Sequence, residues 1–337
     1  MKAIGFDAPL PIDDERSLQD IELPIPELRP YDILVKVAAI SVNPADVKVR
    51  ASATPPAGTH RILGYDAAGT VEAVGSAVTG FAVGDEVFYA GSIDRPGTYA
   101  EYHAVDARIA ARKPASLSFA EAAALPLTSL TAWELLFDRL QISYGRKTSG
   151  DALLIVNGAG GVGSILTQIA RRLTGLTVIA TASRPETIAW TKEMGAHHTI
   201  DHREPLNEGL AAIGIPEVRF VAGLTATDRH RDAIIASLAP QGALAMIDDP
   251  AQFDIVPFKR KSLSVHWELM FTRPLYGTAD IARQGEILAE ISALVDAGLL
   301  RTTMHQDYGT ITAANLRRAH RLLESGGGIG KTVLSGF

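Results

Sequence analysis

"LLIVNGAGGVGSILTQIARRL" occupies residues 153–173, and its reading organises the rest of the chain. Leucine, isoleucine and valine up to residue 156 form a short apolar run of the kind a buried strand makes, and the residues after Gly163 read as a helix. Between them lie Gly158, Gly160 and Gly163, a G-x-G-x-x-G spacing. Glycines so spaced also make plain turns, so the context matters: a strand before, a helix after, and a second apolar, β-branched run at 177–181. In that context Gly158 permits the tight turn. Gly160 lets backbone approach a pyrophosphate, and Gly163 lets helix pack on strand. Gly161 and Val162 open the helix, where unpaired N–H groups and a partial positive charge favour phosphate. The stretch predicts a dinucleotide site.

Outward from this loop, apolar runs alternate with helical stretches. Strands are predicted at 153–157, 177–181, 199–201, 219–222, 243–247 and 263–267. Such alternation predicts a doubly wound parallel sheet with crossover helices. The end of the second strand discriminates between dinucleotides, because an acid there accepts hydrogen bonds from a ribose 2′-hydroxyl. Here the sequence is "ATASRPET" (180–187), with Ser183 and Arg184 and no acid before Glu186. Arg184 therefore argues for the 2′-phosphate of NADP(H), with a solvated loop arginine as the plainer reading. His202, after the third strand, could flank the adenine or that phosphate.

Residues 1 to 125 have a different texture. "DILVKVAAISV" (32–42) alternates as a strand does, and "GTVEAVG" and "GDEVFYAG" are short strands bounded by glycine. Ser118 and Glu121 resemble a capping box ahead of an alanine-rich helix. Residues 280–297 read as a helix, and the chain closes on "GKTVLSGF", a strand expected to return to the first domain. Domains are expected at 1–125 with 273–337, and at 126–272. The chain has 337 residues, a net charge of −6, 47% hydrophobic residues and no cysteine. No basic run invites nucleic acid, and neither a membrane-spanning run nor a signal pattern is present, so a cytoplasmic protein is expected. The lack of cysteine excludes disulfides, thiolate metal sites and a thiol nucleophile.

With both halves in view, the chain resembles the medium-chain dehydrogenase/reductase superfamily, and within it the zinc-free quinone oxidoreductase branch. The residues that carry this are "SVNPADVKVR" (41–50), "LGYDAAGTVEAVGSAVTGFAVGDEV" (63–87), "AALPLTSLTAWELL" (123–136), the glycine loop and "GKTVL" (330–334). A further stretch, 247–274, is similar to a subgroup labelled zinc-type alcohol dehydrogenase-like. The resemblance implies a GroES-like, mainly β catalytic domain joined to a Rossmann domain. It also implies that metal ligands would stand at Asn43, Tyr65 and near Thr128, with Asp66 replacing a glutamate. None of the three offers a thiolate or imidazole, so no metal is expected.

The resemblance further implies a cleft with Asn43, Asp46, Lys48 and Tyr65 on the first-domain wall. Lys48, Tyr65 and Asn43 can donate hydrogen bonds to a developing oxyanion, and Asp46 could orient Lys48 or brace its loop. Lys48 departs from the aromatic often found there in the branch. Thr131, Leu224, Thr225, Ile247, Asp248, Phe271, Thr272 and Lys331 are implied as further cofactor contacts. Without a Lewis acid, oxidising an unactivated alcohol is hard, whereas reducing a polarised acceptor is easier. The expected activity is reduction of a quinone or an enone or enal by NADPH. Two alternatives stay open: an NADPH-binding protein without turnover, and a zinc-free alcohol or carbonyl dehydrogenase. A homodimer is expected through the last sheet strand, 262–267.

Overall fold

The computed structural model describes residues 1–145 and 150–337. It forms two compact units, one of Met1–Leu130 with Phe271–Phe337 and one of Thr131–Met270. The first boundary thus falls inside a helix rather than ahead of it.

In the first unit β1 (Lys2–Phe6) pairs with β2 (Gln19–Glu22) and, across the long strand β3 (Asp32–Ser41) in sequence, with β4 (Arg61–Ile62). Helix α1 (Pro44–Ser52) follows β3, with proline at its first turn, where a missing N–H costs nothing. Then come β5 (Ala67–Val74), β6 (Glu86–Tyr89), β7 (Tyr102–Asp106) and β8 (Ala110–Arg112). Helices α2 (Phe119–Ala123) and α3 (Pro126–Trp133) follow, and the capping box of Ser118 and Glu121 is formed in both directions.

The second unit alternates strand and helix: β9 (Ala152–Val156), α4 (Gly161–Leu173), β10 (Thr177–Thr181), α5 (Pro185–Glu193), β11 (His198–Ile200), α6 (Leu206–Ala212), β12 (Val218–Gly223), α7 (Thr227–Ser237), β13 (Leu238–Met246) and β14 (Ser264–Trp267). Among the described residues its sheet runs β11-β10-β9-β12-β13-β14, every pair parallel. All five residues of β9 are buried, as a central strand covered on both faces must be. The strand order reverses direction between β10-β9 and β12, the kind of switch point at which open α/β sheets bind ligands.

The chain then closes the first unit with α8 (Thr272–Tyr276), α9 (Arg283–Asp296), β15 (Met304–Asp307), α10 (Ala313–Glu324) and β16 (Lys331–Ser335). Strand β16 pairs antiparallel with β3, Val333 opposite Ser41, and completes the sheet β15-β16-β3-β5-β6-β8, with β7 also on β3. The helix expected from residue 280 starts at Arg283. Residues 280–282 instead form a turn in which Asp280 accepts from the Thr278 hydroxyl, an arrangement that competes with helix.

Two histidines lie in the first unit's interior. Nε2 of His103 donates to the Pro96 carbonyl at 2.9 Å, which leaves Nδ1 to accept from the Tyr89 hydroxyl at 3.1 Å. Burial pushes His103 down to about 4 and His320 down to about 3. A folded pKa below the ordinary 6.5 means that the neutral ring stabilises the fold above about pH 6.5 and that this contribution fades as pH falls toward 4. The stability advantage of the native protein over H103Q in urea should therefore shrink by about 2 kcal/mol between pH 7.5 and 5. An advantage that stays constant over that range would contradict the assignment.

Candidate functional site

In the second unit, the candidate cofactor residues collect at the carboxyl ends of the parallel strands. The glycine loop follows β9, Ser183 and Arg184 follow β10, and His202 lies just past β11. Leu224 and Thr225 follow β12, and Ile247 and Asp248 follow β13. Alternate faces and crossover helices force this clustering, since every strand points the same way.

The three glycines of the loop are needed for different reasons. A Cβ at Gly158 would lie 2.6 Å from Ala180 Cβ, and one at Gly163 would lie 2.5 Å from the Asn157 carbonyl oxygen. Strand and helix could not then approach as they do. At Gly160 the nearest atom to a Cβ is the Asn157 amide nitrogen at 3.1 Å, the end of a side chain that can move. The protein's own packing therefore demands little of Gly160, and a phosphate brought close to the backbone accounts for the missing side chain. Helix α4 begins at Gly161 without a side-chain cap, so its first N–H groups remain available. These features fit a dinucleotide.

Asn157 was not anticipated. It sits in the left-handed region at φ 67°, which asparagine tolerates. Its backbone N–H donates to Thr181 Oγ1 at 2.9 Å and its Nδ2 donates to Thr225 Oγ1 at 3.2 Å, tying together the ends of β9, β10 and β12. Asp248 accepts from the backbone N–H and the hydroxyl of Thr227, at 2.8 and 2.7 Å, and so caps α7. Thr131 is buried in α3.

In the first unit the candidate residues surround one buried carboxylate. Asp66 accepts from Lys331 Nζ at 3.0 Å, Asn43 Nδ2 at 2.8 Å, the Leu127 N–H at 2.8 Å and Ser41 Oγ at 3.4 Å. Burial raises the Asp66 carboxyl above its ordinary value, and Lys331 and the Leu127 N–H pull against it. Lys331 spends its remaining donors on the Val42 carbonyl at 2.8 Å and on Asn43 Oδ1. This changes the reading of two residues. All of the Lys331 donors go to first-unit acceptors, which leaves none for a cofactor. The Asn43 carbonyl oxygen accepts from Lys331, one of its N–H groups goes to Asp66 and the Ser41 carbonyl lies 3.5 Å from its amide nitrogen, so the side chain is tied into the cluster.

Asp46 is likewise structural in its contacts. Its carboxylate accepts from the backbone N–H of Asn43 at 2.7 Å and of Gly64 at 3.0 Å, bracing the start of α1 against the turn before β5. Burial pushes it up to about 7, against those two donors and Lys331. Lys48 is two residues further along α1, on its exposed side, so the two do not share a face. Asp46 braces the loop; it does not orient Lys48. Tyr65 is buried with its ring edge-on to Phe271 at 5.1 Å, and its hydroxyl has no hydrogen-bond partner among the described residues. Burial pushes that hydroxyl up to about 12, against the pull of the Arg61 guanidinium, so it stays protonated and can donate a hydrogen bond at neutral pH. Thr272 opens α8 beside Phe271.

Zinc does not suit this cluster. Tetrahedral zinc needs three or four N, S or carboxylate ligands at about 2.0–2.3 Å. Among the described residues no group of three or more His, Cys, Asp or Glu side chains could hold an ion. The ammonium of Lys331 is bonded to Asn43, one of the mapped ligand positions.

Comparison with known proteins sets this geometry in context. Residues 29–115 match the alcohol dehydrogenase GroES-like domain and residues 194–334 match the zinc-binding dehydrogenase family. The chain is 42% identical over 340 residues to a zinc-type alcohol dehydrogenase-like protein of Staphylococcus aureus, covering 99% of this chain and 100% of that one. It is similar to the crystal structure of a protein described as a zinc-dependent alcohol dehydrogenase from Rhizobium etli, with a TM-score of 0.96 and 57% identity, over 100% of this chain and 98% of the other. It is also similar to the Escherichia coli quinone oxidoreductase complexed with NADPH, with a TM-score of 0.83 and 28% identity over 99% and 100% of the two chains.

Removing one partner of a buried ion pair strands the other charge, at about 3–5 kcal/mol. Lys331→Met should therefore lower unfolding stability by about that amount, and the double variant K331M/D66N should recover a large part of it. Equal stability of single and double variants in urea would show that the pair is not what the loss reports.

Proposed function

The chain belongs to the zinc-free quinone-oxidoreductase-like branch of the medium-chain dehydrogenase/reductase superfamily, and from that premise we propose that it reduces quinones or α,β-unsaturated carbonyls at the expense of NADPH. Two observations carry this reading, each within its own unit: a glycine loop shaped for a dinucleotide, and a buried tyrosine hydroxyl with no hydrogen-bond partner among the described residues. Bound at the loop, the reduced nicotinamide supplies the hydride.

The chain's own groups have three tasks. Gly160 and the uncapped start of α4 hold the pyrophosphate. Ser183 and Arg184 would favour the 2′-phosphate, and Leu224, Thr225 and Ile247, at the strand ends, would hold the rest of the dinucleotide. The third task is to answer the negative charge that grows on the acceptor oxygen as hydride arrives. Tyr65 donates its hydroxyl hydrogen to that oxygen, and Lys48 adds a positive charge and a proton source from the exposed side of α1. Asn43, Asp46 and Lys331 hold the wall in which Tyr65 sits. An unactivated alcohol would need its hydroxyl proton removed and its alkoxide stabilised, which this donor set does poorly.

Loss of one oxyanion donor lowers turnover by about 10²–10³-fold. Tyr65→Phe should reduce kcat on the best quinone or enal by about that factor, with NADPH affinity near the native value, and Lys48→Met should act in the same direction. Full turnover in both variants would mean that water, not these side chains, protonates the product.

We also propose a homodimer. Strand β14 is the edge of the second unit's sheet, and Trp267, Leu269, Ile255 and Val256 beside it are exposed, by 51–72%. A four-residue edge strand without proline, flanked by exposed apolar side chains, leaves room for pairing with another copy, which a twofold axis closes. Light scattering at micromolar concentration should give about twice 35.8 kDa, and Val265→Lys should halve it. A monomeric native mass would remove the dimer.

A further inference from the structure

Two guanidinium groups stand at the end of β10, and they are not equivalent. Arg184 lies in the β10–α5 turn, and its Nε pairs with Glu186 at 3.1 Å, with both side chains about half exposed. An exposed pair of this kind contributes little. Arg203 comes from the turn after β11. Its Nε lies 3.1 and 3.0 Å from the two oxygens of Asp201, and its Nη2 donates to Asp201 at 2.6 Å. That planar, two-point contact fixes the fork. The same Nη2 also donates to the Ser183 carbonyl at 3.2 Å, so the guanidinium lies across the end of β10. Its Nη1 finds no acceptor among the described residues and remains available for a ligand.

The position matters because the end of the second strand is where a dinucleotide sheet distinguishes a ribose 2′-hydroxyl from a 2′-phosphate. Asp201 adds a second effect. Its carboxylate stands at the end of the neighbouring strand, and Arg203 neutralises it. With the Arg203 side chain gone, that carboxylate would keep only the backbone N–H of residue 203 and its charge would be uncompensated, repelling a phosphate while accepting hydrogen bonds from a hydroxyl.

We propose that Arg203, fixed by Asp201, is the main selector of NADPH over NADH in this chain, with Arg184 in a lesser role. The proposal rests on the NADPH reading above and assigns it a residue that sequence reasoning passed over.

The test is equilibrium titration, which needs no turnover. Nicotinamide fluorescence would follow the binding of NADPH and of NADH to the native protein, R203A, R184A and the double variant D201N/R203A. Arg203 is well exposed, with its side chain 65% accessible, so its removal should leave the fold intact. R203A should weaken NADPH by roughly 10- to 150-fold, the range of a hydrogen bond to a charged group, and leave NADH equal or tighter. R184A should weaken NADPH less. D201N/R203A should bind NADPH better than R203A alone, since the uncompensated charge is gone. If native protein prefers NADPH and R203A keeps the same NADPH-to-NADH ratio, Arg203 is not the selector, while the cofactor assignment stands. If native protein shows no preference for NADPH, the cofactor assignment fails and takes this one with it.

Discussion

The Asp66 carboxylate is sealed from water, and the charge that answers it arrives from residue 331, near the far end of the chain. A buried ion pair contributes little net stability, because desolvation offsets attraction, but it tolerates few alternatives. Here it dictates where strands can lie. Lys331 opens β16, so β16 must sit against β3 for its ammonium to reach Asp66, Asn43 and the Val42 carbonyl. The Leu127 N–H on the same carboxylate fixes the start of α3. Tyr65, next in sequence to Asp66, is thereby held in the interior with its ring against Phe271. The cluster supplies no reacting group of its own; it sets the frame around one that does.

The second unit achieves its site by different means. Its buried ion pair of Arg139 with Glu268 lies away from the glycine loop in sequence and takes no part in fastening the strand ends. Parallel strands bring their carboxyl ends together, and short polar side chains fasten those ends: Asn157 to Thr181 and Thr225, Asp248 to Thr227. The result is a rim of backbone N–H groups and small residues, which suits a large flat ligand with phosphates at one end. The division of labour follows from the two architectures. The β unit buries its polar cluster between sheet and returning strand, whereas the parallel sheet gathers its candidate residues in the turns beyond its strand ends.

How much of this was legible depended on sequence distance. The strand, glycine loop and helix of residues 153–173 could be read because every signal falls within one short window. The resemblance to known motifs singled out Asn43, Asp46 and Tyr65, but the buried contacts of Asn43 and Asp46 are not written in their local sequence. An asparagine before proline gives no sign that a lysine 288 residues later will occupy its carbonyl. Arg203 has no local sequence signal because its significance comes from Ser183, just past the end of the neighbouring strand. The helix boundary near residue 280 failed for a local reason, since Thr278 and Asp280 prefer a turn.

The central claim is that polarised acceptors are reduced by a donor set built from side chains alone. The most direct measurement is the rate of NADPH oxidation with a quinone before and after exhaustive treatment with a chelator, alongside the zinc content of tag-free protein. The account predicts an unchanged rate and well under one zinc per chain. A rate that disappears with the chelator and returns with stoichiometric zinc would contradict it.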